Sequence, residues 1–326
     1  MSLNQLTVAA IQMTSTDSVE ENLQTAEKLI QAAKQAGADV MVLPEYFCLM
    51  GQTDQDKVAI REDFGQGRLQ DSLSSMAKQH QIHLIAGTIP LSAQNNHQVR
   101  NTSLVFDPTG QIISRYDKIH LFGFKQGDEE YQESKTIEPG SLPCSFNIQK
   151  NGVDWKFGVT ICYDIRFPEL YRQIGPVDCH IVSAAFTHTT GKAHWEILLR
   201  ARAIENQSYL LASAQSGQHT NGRKTWGQSM LIDPWGNIQS ELKEGEGFTL
   251  GIWIKAELMK FEQNYPHYNI APFKENNEFN SCTRKPPASQ SSRCFKYCKR
   301  NSFGASRHFR TRSSKDSCAH AHTSIG

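Results

Sequence analysis

A pattern of short motifs recurs in the sequence at a constant distance of 126 residues. Residues 84–90 (LIAGTIP) match 210–216 (LLASAQS), and residues 103–112 (SLVFDPTGQI) match 229–238 (SMLIDPWGNI). Residues 69–80 have apolar residues at helical spacing, and so do residues 195–206, which lie 126 positions later. Self-similarity at a fixed period is typical of duplicated structural units. Any fold for this chain therefore has to place two related sets of strands and helices.

Strand-like and helix-like segments alternate along the chain. Short apolar runs predict buried strands, and apolar residues at intervals of three and four predict helices. The predicted strands are Leu6–Met13, Val40–Leu43, His83–Ile89, Val99–Phe106, Gln111–Tyr116 and Cys179–Ala185. One predicted helix begins at Ser18, which has capping-box spacing to Glu21, and ends before Gly37. The alternation makes the fold class α/β (or α+β), and the repeat favours two sheets packed between layers of helices.

Composition changes sharply after residue 273. Residues 274–326 contain eleven Lys and Arg, three acidic residues and a single member of the set Leu, Ile, Val and Met, so this tail carries +8 and the rest of the chain −7. Such a segment cannot bury enough apolar surface to offset the entropy of ordering it. We therefore predict a globular domain over 1–273 and a basic, disordered tail over 274–326. The tail could touch nucleic acid through its basic and aromatic residues, but a non-functional extension is the favoured interpretation.

Cysteine usage and hydropathy exclude several classes of protein. Four of the eight cysteines lie in the tail, so the domain holds only Cys48, Cys144, Cys162 and Cys179, too few for a disulfide framework. No apolar run approaches the roughly 18 residues of a membrane span. The first 13 residues lack a basic region followed by an apolar stretch, so they do not match a secretory signal. These features predict a cytoplasmic protein without a membrane segment.

Three ionisable or nucleophilic residues each follow directly on a predicted strand. Glu45 comes just after Val40–Leu43, Lys118 comes at the end of the strand predicted after the turn Asp107–Gly110, and Cys162 ends the apolar stretch from Phe157. A cysteine in such a stretch is more often core filler than a nucleophile. Carboxylate and ammonium groups avoid semi-buried places unless they are paired. Spacing alone therefore favours a structural ion pair between Glu45 and Lys118.

The segments around these three residues carry a resemblance to a known family. LPEYF (43–47), YDKIHLF (116–122) and VTICYDIRFPELYR (159–172) resemble, in this order, the catalytic motifs of the nitrilase, or carbon–nitrogen hydrolase, superfamily. The similarity runs from about Leu6 to Tyr265. Residues 188–207 and 227–237 further resemble the Nit amidases, which hydrolyse deaminated glutathione and ω-amides such as α-ketoglutaramate. The resemblance implies a four-layer αββα sandwich with an internal two-fold pseudo-repeat, in accord with the repeat described above.

The resemblance also implies a mechanism. Glu45 would accept the thiol proton, Cys162 would attack the amide carbon to form a thioester, and Lys118 with the backbone N–H of Tyr163 would stabilise the oxyanion. A free thiol is mostly protonated at neutral pH, which is why it needs a base or a cation nearby. The expected products are a carboxylate and ammonia, without a metal or an organic cofactor. Because superfamily members are commonly dimers or tetramers, the resemblance also implies a homodimer or homotetramer.

A second glutamate assists in many family members. The segment YQESKTIEPG (131–140) resembles the stretch that carries it and points to Glu133 as the fourth catalytic residue. Glu129 and Glu130 lie near and are alternatives for the same role. A solvated acidic loop is the alternative without a catalytic role.

Substrate contacts are predicted around Cys162 and at the end of the strand Cys179–Ala185, at Tyr163, Arg166, Phe186 and Thr187. Arg166 could bind a substrate carboxylate through its planar fork or anchor a loop in a buried salt bridge, and both interpretations stay open. His188 and His194 invite a zinc site, but no cysteine or carboxylate stands at ligand spacing, so no metal is predicted.

The predicted function is cysteine-dependent hydrolysis of the C–N bond of a small linear amide, with deaminated glutathione as the first choice of substrate. Alternatives within the superfamily are an ω-amidase acting on α-ketoglutaramate, a carbamoylase and a nitrilase. Alternatives from other classes are a non-catalytic binding scaffold and a Cys–His protease. The intact Glu45, Lys118 and Cys162 argue against the scaffold, and a protease would leave the Glu and Lys motifs unexplained.

Overall fold

Residues 4–127 and 129–265 are described by a computed structural model, which is silent on the side chains of Gln126 and Glu129. The predicted tail over 274–326, and the end of the predicted domain over 1–273, lie outside the described residues. Among the described helices, none is long and apolar enough to cross a membrane.

Seventeen strands and six α-helices make up the described part of the chain. The strands are β1 Gln5–Gln12, β2 Val40–Val42, β3 His83–Ile85, β4 Ile89–Ser92, β5 Val99–Phe106, β6 Ile112–Asp117, β7 Gly123–Gln126, β8 Glu129–Gln132, β9 Cys144–Lys150, β10 Val153–Ile161, β11 Cys179–Ala184, β12 Tyr209–Ala214, β13 Ser216–Gln218, β14 Lys224–Trp226, β15 Ser229–Ile232, β16 Ile238–Leu242 and β17 Gly247–Ile254. The helices are α1 Val19–Gln35, α2 Asp56–Ala59, α3 Arg68–His80, α4 Pro168–Ile174, α5 His188–Asn206 and α6 Lys255–Asn264.

Local signals in the sequence account for some of these boundaries. Ser18 is the N-cap of α1 and accepts a hydrogen bond from the backbone N–H of Glu21. The predicted strand His83–Ile89 is wrong as a single element, because the structure divides it into β3 and β4. At the break Gly87 has a φ of 53°, and a Cβ there would lie 2.1 Å from the carbonyl oxygen of Pro44. The close approach of the two backbones interrupts the strand.

The repeat predicted at 126 residues is confirmed by the topology of the two large sheets. The first sheet has the order β17-β1-β2-β3-β5-β6, with β4 also paired to β5, and the second has the order β9-β10-β11-β12-β15-β16. In both sheets the first pair is antiparallel, the next two pairs are parallel, and the last two are antiparallel. Parallel neighbours need crossover connections, and helices supply them in both halves.

The two sheets pack face to face between two layers of helices. Along β1, Val8 and Ala10 belong to the core that includes the second sheet, whereas Ala9 and Ile11 belong to the core under α1 and α3. This alternation is the period-two pattern of a strand buried on both faces. Trp195 of α5 packs on the outer side of the second sheet. The predicted αββα sandwich is therefore confirmed.

Candidate active site

Cys162 is the first residue after strand β10. It begins a short 3-10 turn, Cys162–Arg166, that leads into α4, whose first residue is Pro168. Its backbone has a φ of 48°, in the left-handed region that non-glycine residues rarely adopt. Such strain persists only where the surroundings impose it, and it is frequent where a nucleophile is displayed at a sharp turn after a strand. The thiol is buried, with 6% of the residue exposed.

Glu45 lies three residues after β2 and is completely buried. Its Oε1 accepts hydrogen bonds from Lys118 Nζ at 2.8 Å and from Asn101 Nδ2 at 2.9 Å. Its Oε2 accepts from the backbone N–H of Ala185, which follows strand β11, at 2.9 Å. The carboxylate is thus held at the meeting point of the carboxyl ends of β2, β10 and β11, the place where α/β sheets commonly bind ligands.

Lys118 follows β6 and is also completely buried. Its Nζ donates to Glu45 Oε1 and to both carboxylate oxygens of Glu133, at 2.9 Å and 2.8 Å. Burial by itself lowers the pKa of Lys118, but the carboxylates of Glu133 and Glu45 outweigh it, and the pKa lies above its ordinary value. The ion pair between Glu45 and Lys118 favoured by spacing is present, and a third charged group joins it.

Glu133 occupies the 3-10 turn Glu133–Lys135 that follows β8. Besides Lys118, its carboxylate accepts from the hydroxyl of Tyr46 at 2.8 Å and from the backbone N–H of Phe122 at 2.7 Å. Burial tends to raise the pKa of Glu133, but Lys118 and these donors lower it below its ordinary value. Glu130, one of the two sequence alternatives, instead pairs with Lys125 at 2.8 Å on an exposed surface. The structure therefore brings Glu133, and not Glu130, to Lys118.

The electrostatics of the thiol follow from its neighbours. Burial and the carboxylates of Glu45 and Glu133 raise the pKa of Cys162 well above its ordinary value, although the Lys118 ammonium and the N–H of Ala185 oppose the shift. Two carboxylates against one ammonium give the cluster a net charge of −1. A thiol in this field is protonated at neutral pH, so the arrangement can generate a thiolate only when a nearby base removes the proton.

Asp164 is a site residue that the sequence analysis missed. Its Oδ2 accepts from the backbone N–H of Ile161 at 3.0 Å and from the hydroxyl of Tyr116 at 2.7 Å. Its Oδ1 accepts from the backbone N–H and the ring Nδ1 of His120, at 3.0 Å and 2.7 Å. This buried carboxylate joins the turn that carries Cys162 to the segment that carries Lys118. The only sequence signal was its position inside the quoted motif around Cys162.

A pocket opens above Cys162. Its lining residues are Phe122, Cys162, Tyr163, Ala185, Phe186, Thr187 and Thr190. Phe186 packs on Trp195, and Thr187 is the N-cap of α5, accepting from the backbone N–H of Thr190. The predicted contacts Tyr163, Phe186 and Thr187 therefore lie around the thiol.

Arg166 lies beside this pocket. Its guanidinium is 5.7 Å from the ring centre of Tyr163 and 5.4 Å from that of Phe186, and it donates to His194 Nδ1 at 3.2 Å. Among the described residues no carboxylate pairs with Arg166, so the buried salt bridge considered from the sequence is not present there.

The two histidines considered for zinc lie apart from any metal-ligating cluster. His188 packs against Trp226, and His194 accepts the hydrogen bond from Arg166. Over residues 4–127 and 129–265, no group of three His, Cys, Asp or Glu is placed to hold a metal ion.

Known proteins are similar to this chain in sequence and in fold. The family model for carbon-nitrogen hydrolases matches residues 7–258. A deaminated glutathione amidase from Synechocystis is 39% identical over 264 residues, covering 79% of this chain and 95% of that protein. The crystal structure of Saccharomyces cerevisiae Nit3, described as a member of branch 10 of the nitrilase superfamily, superposes with a TM-score of 0.73 at 28% identity, covering 83% of this chain and 97% of that one. The C. elegans NitFhit protein superposes with a TM-score of 0.71 at 31% identity, and the match covers 82% of this chain and 65% of that longer one. The chain belongs to the carbon–nitrogen hydrolase family.

Proposed function

We propose that this protein is an amidase that hydrolyses deaminated glutathione. The observation that carries the proposal is the buried cluster in which Lys118 Nζ contacts Glu45 and Glu133 beside the thiol of Cys162. A further support is the name of the relative that is 39% identical, a deaminated glutathione amidase. The substrate is the 2-oxoglutaryl amide of the dipeptide Cys-Gly, so its scissile bond is a linear amide.

The first half of the reaction forms a thioester. The Cys162 S–H proton passes to the Glu45 carboxylate as sulfur attacks the amide carbon, and the carbonyl oxygen becomes an oxyanion. Lys118 Nζ and the backbone N–H of Tyr163 stabilise that oxygen, a contribution that can reach about 3–4 kcal/mol per donor. Lys118 exchanges one of its two contacts with Glu133 for the oxyanion. The C–N bond then breaks, and Glu45 returns the proton to the leaving amine.

The second half consumes one water. Glu45 takes a proton from the water, whose oxygen attacks the thioester carbon, and the Glu133 carboxylate orients Lys118 and the water. The C–S bond breaks, and the thiolate regains a proton from Glu45 to restore Cys162. The net reaction is amide plus water to carboxylic acid plus amine.

The leaving group distinguishes the two closest candidate substrates. Deaminated glutathione releases the free amine of Cys-Gly, whereas α-ketoglutaramate releases ammonia. The acyl half, 2-oxoglutarate, is the same in both. An assay for ammonia therefore detects only the second substrate, and an assay for 2-oxoglutarate detects both.

Arg166 supports the choice of an anionic acyl group. Its guanidinium lies beside the pocket and, among the described residues, has no carboxylate partner. A substrate carboxylate would complete a charge-assisted pair with it. Arg166→Ala is expected to raise KM strongly for both 2-oxoglutaryl substrates, and an unchanged KM would discard this role.

The decisive experiment compares wild type with Cys162→Ala in a 2-oxoglutarate assay on deaminated glutathione. A carbamoyl amino acid and a simple nitrile, with product assays of their own, test the carbamoylase and nitrilase alternatives. Cys144→Ala is the matched control, because Cys144 is a half-buried free cysteine whose thiol forms a hydrogen bond with Ser114 and not with a member of the cluster. Turnover that disappears only in Cys162→Ala would support the proposal. Turnover that survives without Cys162 would overturn the thiol mechanism, and no turnover of any substrate would favour the binding scaffold.

We further propose that the protein assembles as a homodimer or homotetramer. Several large apolar side chains on and beside α5 and α6 are between 46% and 70% exposed: Ile197, Ile204, Trp235, Met259 and Tyr265. Clustered exposed apolar residues commonly mark interfaces. Light scattering should show an oligomer that Ile197→Lys weakens, and a monomeric wild type would contradict the proposal.

The location and the domain boundary are proposals as well. A cytoplasmic location is supported by Cys48, Cys144, Cys162 and Cys179, which are all free in the described part of the chain. A boundary at 273/274 predicts that limited proteolysis first removes residues 274–326 and leaves turnover intact. Loss of turnover after removal of residues 274–326 would contradict a domain over 1–273 that is active by itself.

A further inference from the structure

An open cleft of about 540 Å³ lies next to the catalytic pocket. It is formed by the loop after residue 50, strand β8, the first turn of α5 and the hairpin of β13 and β14. The residues that matter here are Asp54, Glu130, Tyr131, Arg223 and Lys224. The mechanism above uses none of them.

Arg223 is held on the wall between this cleft and the catalytic cluster. Its Nη2 donates to the backbone carbonyl of Ala185 at 2.8 Å, and its guanidinium lies 5.1 Å from the ring centre of Tyr131. The N–H of the same Ala185 donates to Glu45 Oε2. One residue of backbone therefore separates the guanidinium of Arg223 from the catalytic carboxylate.

The hydrogen-bonding capacity of Arg223 is only partly used. Its Nε is buried and has no acceptor among the described residues, and no ion pair joins it to a carboxylate there. The two carboxylates that line the cleft among the described residues are engaged elsewhere, Asp54 with Lys57 at 3.2 Å and Glu130 with Lys125 at 2.8 Å. A buried guanidinium N–H without an acceptor is rare, because buried donors normally form hydrogen bonds. A carboxylate brought into the cleft that Arg223 lines would give its guanidinium the ionic partner that it lacks among the described residues.

We propose that Arg223 binds the carboxylate of the leaving group, which in deaminated glutathione is the C-terminal carboxylate of Cys-Gly. This inference rests on the proposed function. Two extended residues span at most about 7 Å. Ala185 lines the pocket together with Cys162 and accepts from Arg223 Nη2 at 2.8 Å, so only one residue lies between the pocket and this arginine. Arg166, beside Tyr163 and Phe186, stays with the carboxylate of the acyl half. Each arginine thus binds one of the two carboxylates of a dianionic substrate. Lys224, which also lines the cleft, adds a further positive charge near Arg223.

The test is a cycle that changes the residue and the ligand separately. Wild type and Arg223→Ala are assayed on deaminated glutathione, on its C-terminal carboxamide, and on α-ketoglutaramate, which lacks the dipeptide. For wild type, the carboxamide is expected to lose about 10- to 100-fold in kcat/KM, the usual range for a charge-assisted pair. Arg223→Ala should lose the same factor on deaminated glutathione, lose nothing more on the carboxamide, and stay within about threefold of wild type on α-ketoglutaramate.

Two further variants separate binding from structure. Arg200→Ala is the matched control, since Arg200 also donates to a backbone carbonyl, that of Gly236 at 2.8 Å, but on α5 outside the cleft. Arg223→Lys keeps the charge and should recover part of the loss on deaminated glutathione. Equal losses of Arg223→Ala on all three substrates would assign Arg223 to support of the Ala185 backbone and overturn the proposal. A wild type that does not distinguish acid from carboxamide would overturn it too, whereas a wild type active only on α-ketoglutaramate would overturn the proposed substrate itself.

Discussion

The buried carboxylate of Asp164 offers the sharpest test of how the fold positions the proposed catalytic groups. Asp164→Asn keeps the shape of the side chain and replaces one acceptor oxygen by an NH2 donor. Each oxygen of Asp164 accepts from one backbone N–H, that of Ile161 or of His120, and from one side chain. The Tyr116 hydroxyl and the His120 ring can reverse to accept a hydrogen bond, but a backbone N–H cannot. Asparagine must therefore leave one of the two backbone groups without an acceptor.

The expected cost follows from that count. A buried N–H without an acceptor costs about 1–3 kcal/mol, and the bonds that survive lose the strengthening given by a negative charge. We expect the free energy of unfolding to fall by about 2–4 kcal/mol in total. The two backbone groups position Cys162 and Lys118 relative to each other, and a shift of about 1 Å between reacting groups can cost about 100-fold. We therefore expect kcat to fall by about that factor with little change in KM.

The assay pairs urea unfolding with turnover of deaminated glutathione. Asp107→Asn is the control, because Asp107 also accepts two backbone bonds, from Thr109 at 2.8 Å and Gln111 at 3.0 Å, but in an exposed turn far from the cluster. The control should lose stability slightly and keep kcat. If Asp164→Asn loses stability but retains kcat within twofold, Asp164 only stabilises the fold. If it loses neither, the hydrogen-bond argument is refuted.

Three further predictions follow from the charges and burial of named groups. Because the pKa of Cys162 is raised, we expect its thiol to stay protonated up to pH 9. The measurement is the difference in thiolate absorbance at 240 nm between wild type and Cys162→Ala, and a thiolate at pH 7 would contradict a base-dependent mechanism. Glu133→Gln should lower kcat by at least about 100-fold, because it weakens both contacts to Lys118. Tyr46→Phe removes only one hydrogen bond to Glu133 and should lower kcat less than about tenfold. A larger loss in Tyr46→Phe than in Glu133→Gln would contradict the assigned contacts. Burial, reinforced by nearby arginines, lowers the pKa of His180 to about 3 from 6.5 in the unfolded chain, so its contribution to stability is complete above pH 6.5 and is lost as the pH falls toward 3. At pH 5 this loss amounts to about 2 kcal/mol, and His180→Met should remove it from the difference in unfolding free energy between pH 7.5 and pH 5; an unchanged difference would contradict the assignment.

The sequence alone predicted the architecture because its determinants are local. Each strand of the repeat carries its own apolar run, and Ser18 and Gly37 mark the ends of a helix, so the two halves could be aligned before any contact was known. The positions of Glu45, Lys118 and Cys162 after strands could be read in the same way. The break at Gly87 could not, since it depends on how closely the backbone passes the carbonyl of Pro44.

Only the tertiary structure decided which side chains meet at the site. Three glutamates stood within five residues of one another, and the path of the chain through β7 and β8 places Glu133 against Lys118 while Glu130 turns to Lys125. The roles proposed for Asp164 and Arg223 likewise depend on partners 44 and 38 residues away along the chain. Local propensity and spacing determine where strands and helices begin and end. Convergence of side chains depends on how two sheets pack, which no single segment encodes.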